Sequence, residues 1–250
     1  MSAVVTAVGV ATAHDAFADF DPNRLRRMDR FGRFGFVAGS RALRHAGYRK
    51  ASPPDPGAGV VWGTAYGCRD SITEHALLLR TARSVEDLRP AVFAETVHNS
   101  VAGELAIEWG LGGVSETLTS GATAGLEAIL LATRRLEAGA AERIVAGRAD
   151  AFHPDTISLG NPLDVAEGGL AVVLESRPAR PGDVLVADGV TFFEPDADER
   201  ERRLAVLLGP VRLDLGEALS ALFDGRLTSA SAVRCAPSGA VAALRFAVAS

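Results

Sequence analysis

The chain is poor in sulfur: Cys68 and Cys235 are the only cysteines in 250 residues. Two thiols so far apart make neither a disulfide framework nor a metal site. No Cys/His cluster has zinc spacing either, so neither a metal nor any other cofactor is expected. No apolar run approaches the ~18 residues of a membrane span. The start lacks a charged segment followed by an apolar one, and Asp15, Asp19 and Asp21 arrive early. A cytoplasmic protein with reduced thiols and no membrane span is the expectation. Aromatics are only 6% of the residues, and the net charge is −5. No long basic block offers a phosphate track, which argues against a nucleic-acid partner. Histidine stops early: His14, His45, His75, His98 and His153 are the whole set.

What is present is an ordinary globular balance, 48% hydrophobic and 23% charged, in a chain long enough to bury a sizeable core. Ser2 to Thr12 reads as a strand. Leu25 to Ala46 repeats apolar residues at helical spacing, with Asp21 or Asn23 as cap and Gly47 as stop. Gly59 to Thr64 is a wholly apolar strand, as expected where both faces are covered. Helices are predicted over Ser71 to Arg83, Asn99 to Gly110, Ala122 to Ala138 and Leu213 to Phe223. Further strands are predicted over Ser115 to Thr119, Arg143 to Ala149, Gly169 to Glu175, Asp183 to Phe193, Ser229 to Arg234 and Val241 to Val248. This alternation predicts a layered α/β fold with mixed or parallel pairing. Arg24, Arg26, Arg27, Arg30 and Arg33 cluster at one helix start. A solvated helix start, or ion pairs with nearby Asp21 and Asp29, explains them more simply than docking of an acidic partner.

The stretch Thr117-Leu118-Thr119-Ser120-Gly121-Ala122-Thr123-Ala124-Gly125 is the most informative. It reads as a strand, a tight turn and a helix start. A thiol at such a turn would be activated by the helix dipole. The residue presented there is Ala122. Ser120 does not restore a hydrolase, because its surroundings are not Gly-x-Ser-x-Gly. Cys68 follows Gly67 in a loop with no histidine placed beside it, and a buried inert thiol is the simpler account. Gly110-Leu111-Gly112-Gly113 is too short for a dinucleotide fingerprint and precedes a strand rather than following one.

Several segments, in order, resemble the β-ketoacyl synthase family. They are Arg26-Arg27-Met28-Asp29-Arg30-Phe31, Gly63-Thr64-Ala65-Tyr66-Gly67, Val97 to Gly103 followed by Gly110 to Gly113, Thr117 to Gly125, Ala146 to Asp150 and Glu167 to Glu175. The resemblance implies a thiolase-like α/β/α/β/α fold in a single domain spanning 1–250. Residues 1–193 match well, and 194–250 form a shortened second half. Family members carry a nucleophilic Cys where this chain has Ala122, and two histidines in the second half. Glu217 falls near the second of these, and Cys235-Ala236-Pro237-Ser238-Gly239-Ala240 stands where the family has a glycine-rich gate.

A chain without these three groups is not expected to condense acyl units. The resemblance points instead to a non-catalytic chain-length factor, as in aryl-polyene-type type II polyketide systems. Such a subunit pairs with an active ketosynthase, meets an acyl carrier protein through the complex, and shapes the acyl tunnel. Candidate tunnel and interface residues are Tyr66, Val92, Phe93, Thr96, Val97, His98 and Asn99; no residue is assigned as catalytic. His98 is read as a cap or interface hydrogen-bonding residue rather than a base. The alternatives are a stand-alone acyltransferase, decarboxylase or thioesterase, which needs a nucleophile or base near Ala122, and an acyl-carrier binding module that acts without a ketosynthase.

Overall fold

The computed structural model describes residues 2–88, 90–152, 165–208 and 212–250. The strands are β1 (Ser2–Thr12), β2 (Ala58–Gly63), β3 (Ser115–Leu118), β4 (Arg143–Asp150), β5 (Gly168–Arg177), β6 (Val184–Phe193), β7 (Arg212–Leu213), β8 (Ser229–Cys235) and β9 (Ala240–Val248). The helices are α1 (Pro22–Leu25), α2 (Arg30–His45), α3 (Arg69–Thr81), α4 (Pro90–Ala94), α5 (Ser100–Trp109), α6 (Ala124–Glu137), α7 (Ala197–Leu208) and α8 (Leu215–Phe223). Among the described residues the strands join in the order β3-β2-β4-β5-β1-β6-β9-β8-β7. Pairing is mixed, as expected: β2 runs parallel to β3 and β4, and β7 parallel to β8. The other ladders are antiparallel.

β1 pairs with β5 along its length, yet meets β6 only through Val4↔Leu185 and Val5↔Val184. On one face of the first five strands lie α2 and α5, around a core that includes Phe31, Leu105, Trp62 and Val173. On the other face lies α6. It touches β2 and β4, and also β6, β8 and β9. Ile129 of α6, Leu219 of α8 and Phe246 of β9 share one core there. A helix covered on two sides must be apolar nearly all round. Ala124, Leu126, Ala128, Ile129, Leu130, Ala132 and Leu136 are all buried. Beyond the later strands, Leu204 of α7 packs on Val241 and Ala243.

Two expectations for the first helical region need correction. Leu25 to Ala46 is not one helix: α1 ends at Leu25 and α2 begins at Arg30. Asp29 is the cause. Its extended backbone interrupts the helix, and its carboxylate accepts the Gly32 N–H at 2.6 Å. Nor do the arginines pair with Asp21 and Asp29, which both act as caps. Arg24 instead reaches Glu104 at 2.5 Å and Glu108 at 3.7 Å on α5, and Arg30 reaches Glu167 at 2.8 Å. No helix of the described residues is long and apolar enough to cross a membrane.

Candidate functional site: the cavity at Ala122

β3 leads into a 3-10 turn over Gly121–Thr123, and α6 follows at Ala124. Ala122 lies in that turn and is buried. The turn sits close to the end of β2: a Cβ on Gly63 would run into the Ala124 carbonyl oxygen. Ser120 donates its hydroxyl to Glu127 on the first turns of α6. The carboxylate, being charged, is the stronger acceptor.

Ala122 borders a cavity of about 190 Å³, shared with Leu126, Arg148, Val165, Leu170 and Val233. Tyr66 comes to the same place. Its buried ring clusters with Ala122, Val165 and Ala236, and stands edge-on to Phe152 at 5.9 Å. Asp150, at the end of β4, holds the Tyr66 loop. One carboxylate oxygen accepts from Thr64 Oγ1 at 2.9 Å, Ala65 N–H at 2.8 Å and Tyr66 N–H at 2.9 Å. Burial pushes this carboxyl above the usual range, against the pull of the Tyr66 N–H and Arg148. Arg148 lies 3.6 Å from Asp150 and donates to the Ala166 carbonyl at 3.1 Å. Its surroundings desolvate the guanidinium and lower its pKa, while Asp150 opposes that shift.

Neither Arg148 nor Asp150 was among the site residues expected from the sequence. The signal was present: two charges two residues apart fall on one face at the end of a strand whose middle is apolar. Glu217 does not reach the cavity. It is exposed on α8, and Asp214, Leu215 and Gly216 line the cavity instead. Of the histidines, His14, His45, His75 and His98 are not among the cavity-lining residues, and His153 lies outside the described residues.

The other candidate residues gather away from Ala122. Phe93 on α4 is 61% exposed and rests against the His75 ring at 5.4 Å; Val97 is 45% exposed. Val92 and Thr96 are half-buried, and His98 and Asn99 are exposed. Asn99 precedes α5 without a side-chain cap bond. The His98 ring lies over Gly67, next to Tyr66, and makes no hydrogen bond among the described residues, so it caps no helix within this chain. The same segment is anchored by a buried acidic group. Asp29 accepts from Ser71 Oγ at 2.6 Å, and Glu95 lines the same cleft. Burial, with Asp29 and Glu104 nearby, pushes the Glu95 carboxyl up to about 7. Beneath them Cys68 is fully buried, which pushes its thiol up to about 11. A thiol so rarely ionised is not a nucleophile.

Residues 3–176 match the model of the β-ketoacyl synthase N-terminal domain. A 3-oxoacyl-(acyl-carrier-protein) synthase 2 from Vibrio harveyi is 33% identical over 158 residues, 62% of this chain and 36% of that enzyme. The chain thus matches little more than a third of the length of that relative. Among solved structures, a type II polyketide acyl-carrier protein in complex with its hexaketide-bound ketosynthase superposes with a TM-score of 0.78 at 20% identity, covering 99% of both chains. The ishigamide ketosynthase/chain length factor superposes with a TM-score of 0.75 at 17% identity, covering 100% of both. The mixed α/β architecture is therefore that of ketosynthase structures. With 174 of its 250 residues matched, the chain belongs to the β-ketoacyl synthase family through its N-terminal domain.

Proposed function

We propose that this chain is a non-catalytic chain-length factor of type II polyketide or polyene biosynthesis, one that pairs with an active ketosynthase and shapes its acyl tunnel. The observation that carries the reading is Ala122: a methyl group occupies the turn where the family's nucleophile is expected, in a cavity lined by neither Cys nor His among the described residues. Without a nucleophile no acyl-enzyme forms, so carbon–carbon bond formation would reside in the partner. The acyl carrier protein would be met through the complex. The reading takes residues 1–250 as one domain in α/β/α/β/α layers, with 194–250 as its reduced half. The packing of α2 and α5, α6 and α8, and α7 on successive sheet faces supports that order. So does a neighbour that is itself described as a ketosynthase/chain length factor.

Tyr66 is the wall residue best supported by position, since it lies beside Ala122. Phe93 and Val97 present apolar surface that a partner would cover. The test has two parts. Incubated alone with malonyl- and acyl-carrier substrates, the chain is expected to show no turnover and no covalent acylation; an adduct on the isolated chain overturns the reading. Co-expressed with a candidate active ketosynthase partner, the chain is expected to co-purify, and Tyr66→Ala to lengthen or broaden the products of the pair. An unchanged product profile removes the wall role from Tyr66.

A further inference from the structure

Arg148 gives the Ala122 cavity a polar chemistry. Its stem lies over the first turn of α6, where Gly125 leaves room: a Cβ there would sit 2.8 Å from Arg148 Cδ. Both contacts of its guanidinium among the described residues run through Nη1, to the Ala166 carbonyl at 3.1 Å and to Asp150 at 3.6 Å. The Nε–Nη2 edge makes no hydrogen bond among the described residues, and the side chain keeps 29% of its surface exposed. That edge is the side of a guanidinium whose two parallel N–H bonds fit the two oxygens of a carboxylate.

One oxygen of each of the cavity's own carboxylates is committed elsewhere. Asp150 Oδ1 already accepts from Thr64, Ala65 and Tyr66, and Asp214 Oδ1 caps α8 by accepting the Glu217 N–H at 2.8 Å. The remaining wall is largely apolar, with Ala122, Leu126 and Leu170, apart from a second guanidinium, that of Arg234. The open space is about 190 Å³. An apolar cavity of about 150 Å³ is known to hold a benzene ring, so an acid of a few carbons has room.

We infer that the Ala122 cavity binds a small aliphatic carboxylate, held side-on by the Nε–Nη2 edge of Arg148 with its alkyl part against Ala122 and Leu126. A phosphate would offer similar oxygens but no apolar part to bury. The inference does not depend on the chain-length-factor reading, because it concerns occupancy of the cavity and not pairing.

The test is thermal unfolding of the full chain, alone or in the complex with which it purifies, titrated with sodium butanoate at constant ionic strength. Butanamide and inorganic phosphate serve as parallel titrants. Butanoate is expected to raise Tm saturably, and butanamide and phosphate to leave it unmoved. In Arg148→Gln the apparent butanoate affinity is expected to fall roughly tenfold or more, as when a charge-assisted hydrogen-bond pair is lost. Should that variant not fold, Ala122→Leu fills the cavity with the arginine in place, and is likewise expected to abolish the response. The inference is overturned by no response to butanoate, by equal responses to butanamide or phosphate, or by a butanoate response that persists in the folded variants. Co-purification with a ketosynthase is unaffected by any of these outcomes, so the two ideas fail separately.

Discussion

At the scale of single residues, Glu95 offers a direct check on how the segment carrying Phe93 is held. Its Oε2 is buried without a hydrogen-bond partner, and its carboxyl titrates near 7 rather than the ordinary 4.5. A raised folded pKa means that folding takes up a proton. The associated stability is fully present below about 4.5 and is lost as pH rises through about 7. Glu95→Gln stays neutral throughout. Its Tm minus that of the unmodified chain should therefore grow steadily as pH is raised across that window; a difference that is flat or shrinks removes Glu95 as the titrating group. Asp150 shows what a residue-level reading of sequence cannot supply. Its charge was visible in the chain, but not that one oxygen would gather Thr64, Ala65 and Tyr66 from a segment some 85 residues away. The arginine cluster is similar. Arg24 and Arg30 form ion pairs, but not with the expected Asp21 and Asp29: their partners Glu104, Glu108 and Glu167 lie far along the chain.

At the scale of elements, the periodicities were legible almost throughout. β1, β2, β3, α5 and β9 fall within a residue or two of their expected bounds, because their apolar spacing and flanking glycines are strong local signals. Gly110 ends α5 in a left-handed conformation (φ 67°), as a glycine stop should. The divided first helix was missed because Asp29 looks like an ordinary polar position until its carboxylate is seen capping Gly32. The approach of elements to one another was not legible either. β2 and α6 come together at Gly63, where any side chain would strike the backbone of Ala124. Gly63→Ala must push the two apart at the very turn that places Ala122. It is expected to destabilise the fold by about 2–3 kcal/mol, within the range of core overpacking. A denaturant midpoint equal to that of the unmodified chain would show that the contact relaxes freely.

At the scale of the whole molecule, exposed apolar side chains are unevenly spread. Seven of the twelve large ones among the described residues lie between Ile72 and Ile107, among them Leu77, Leu79, Val85, Phe93 and Val97. Exposed apolar surface of this kind is what the proposed pairing with a ketosynthase would cover. Phe93→Asp removes apolar area at a position 61% exposed, so the fold should be kept while association is lost. Sedimentation of the purified chain should show less self-association in the variant, and affinity capture should show less bound ketosynthase. Retained capture with an unchanged sedimentation profile would move the interface elsewhere. β1 and β6 join over only two residue pairs, so the two flanks of the sheet are held together chiefly by α6, whose Ile129 meets Leu219 and Phe246 from the later flank. A change on the buried side of that one helix is therefore felt by both flanks at once, including the turn that begins it.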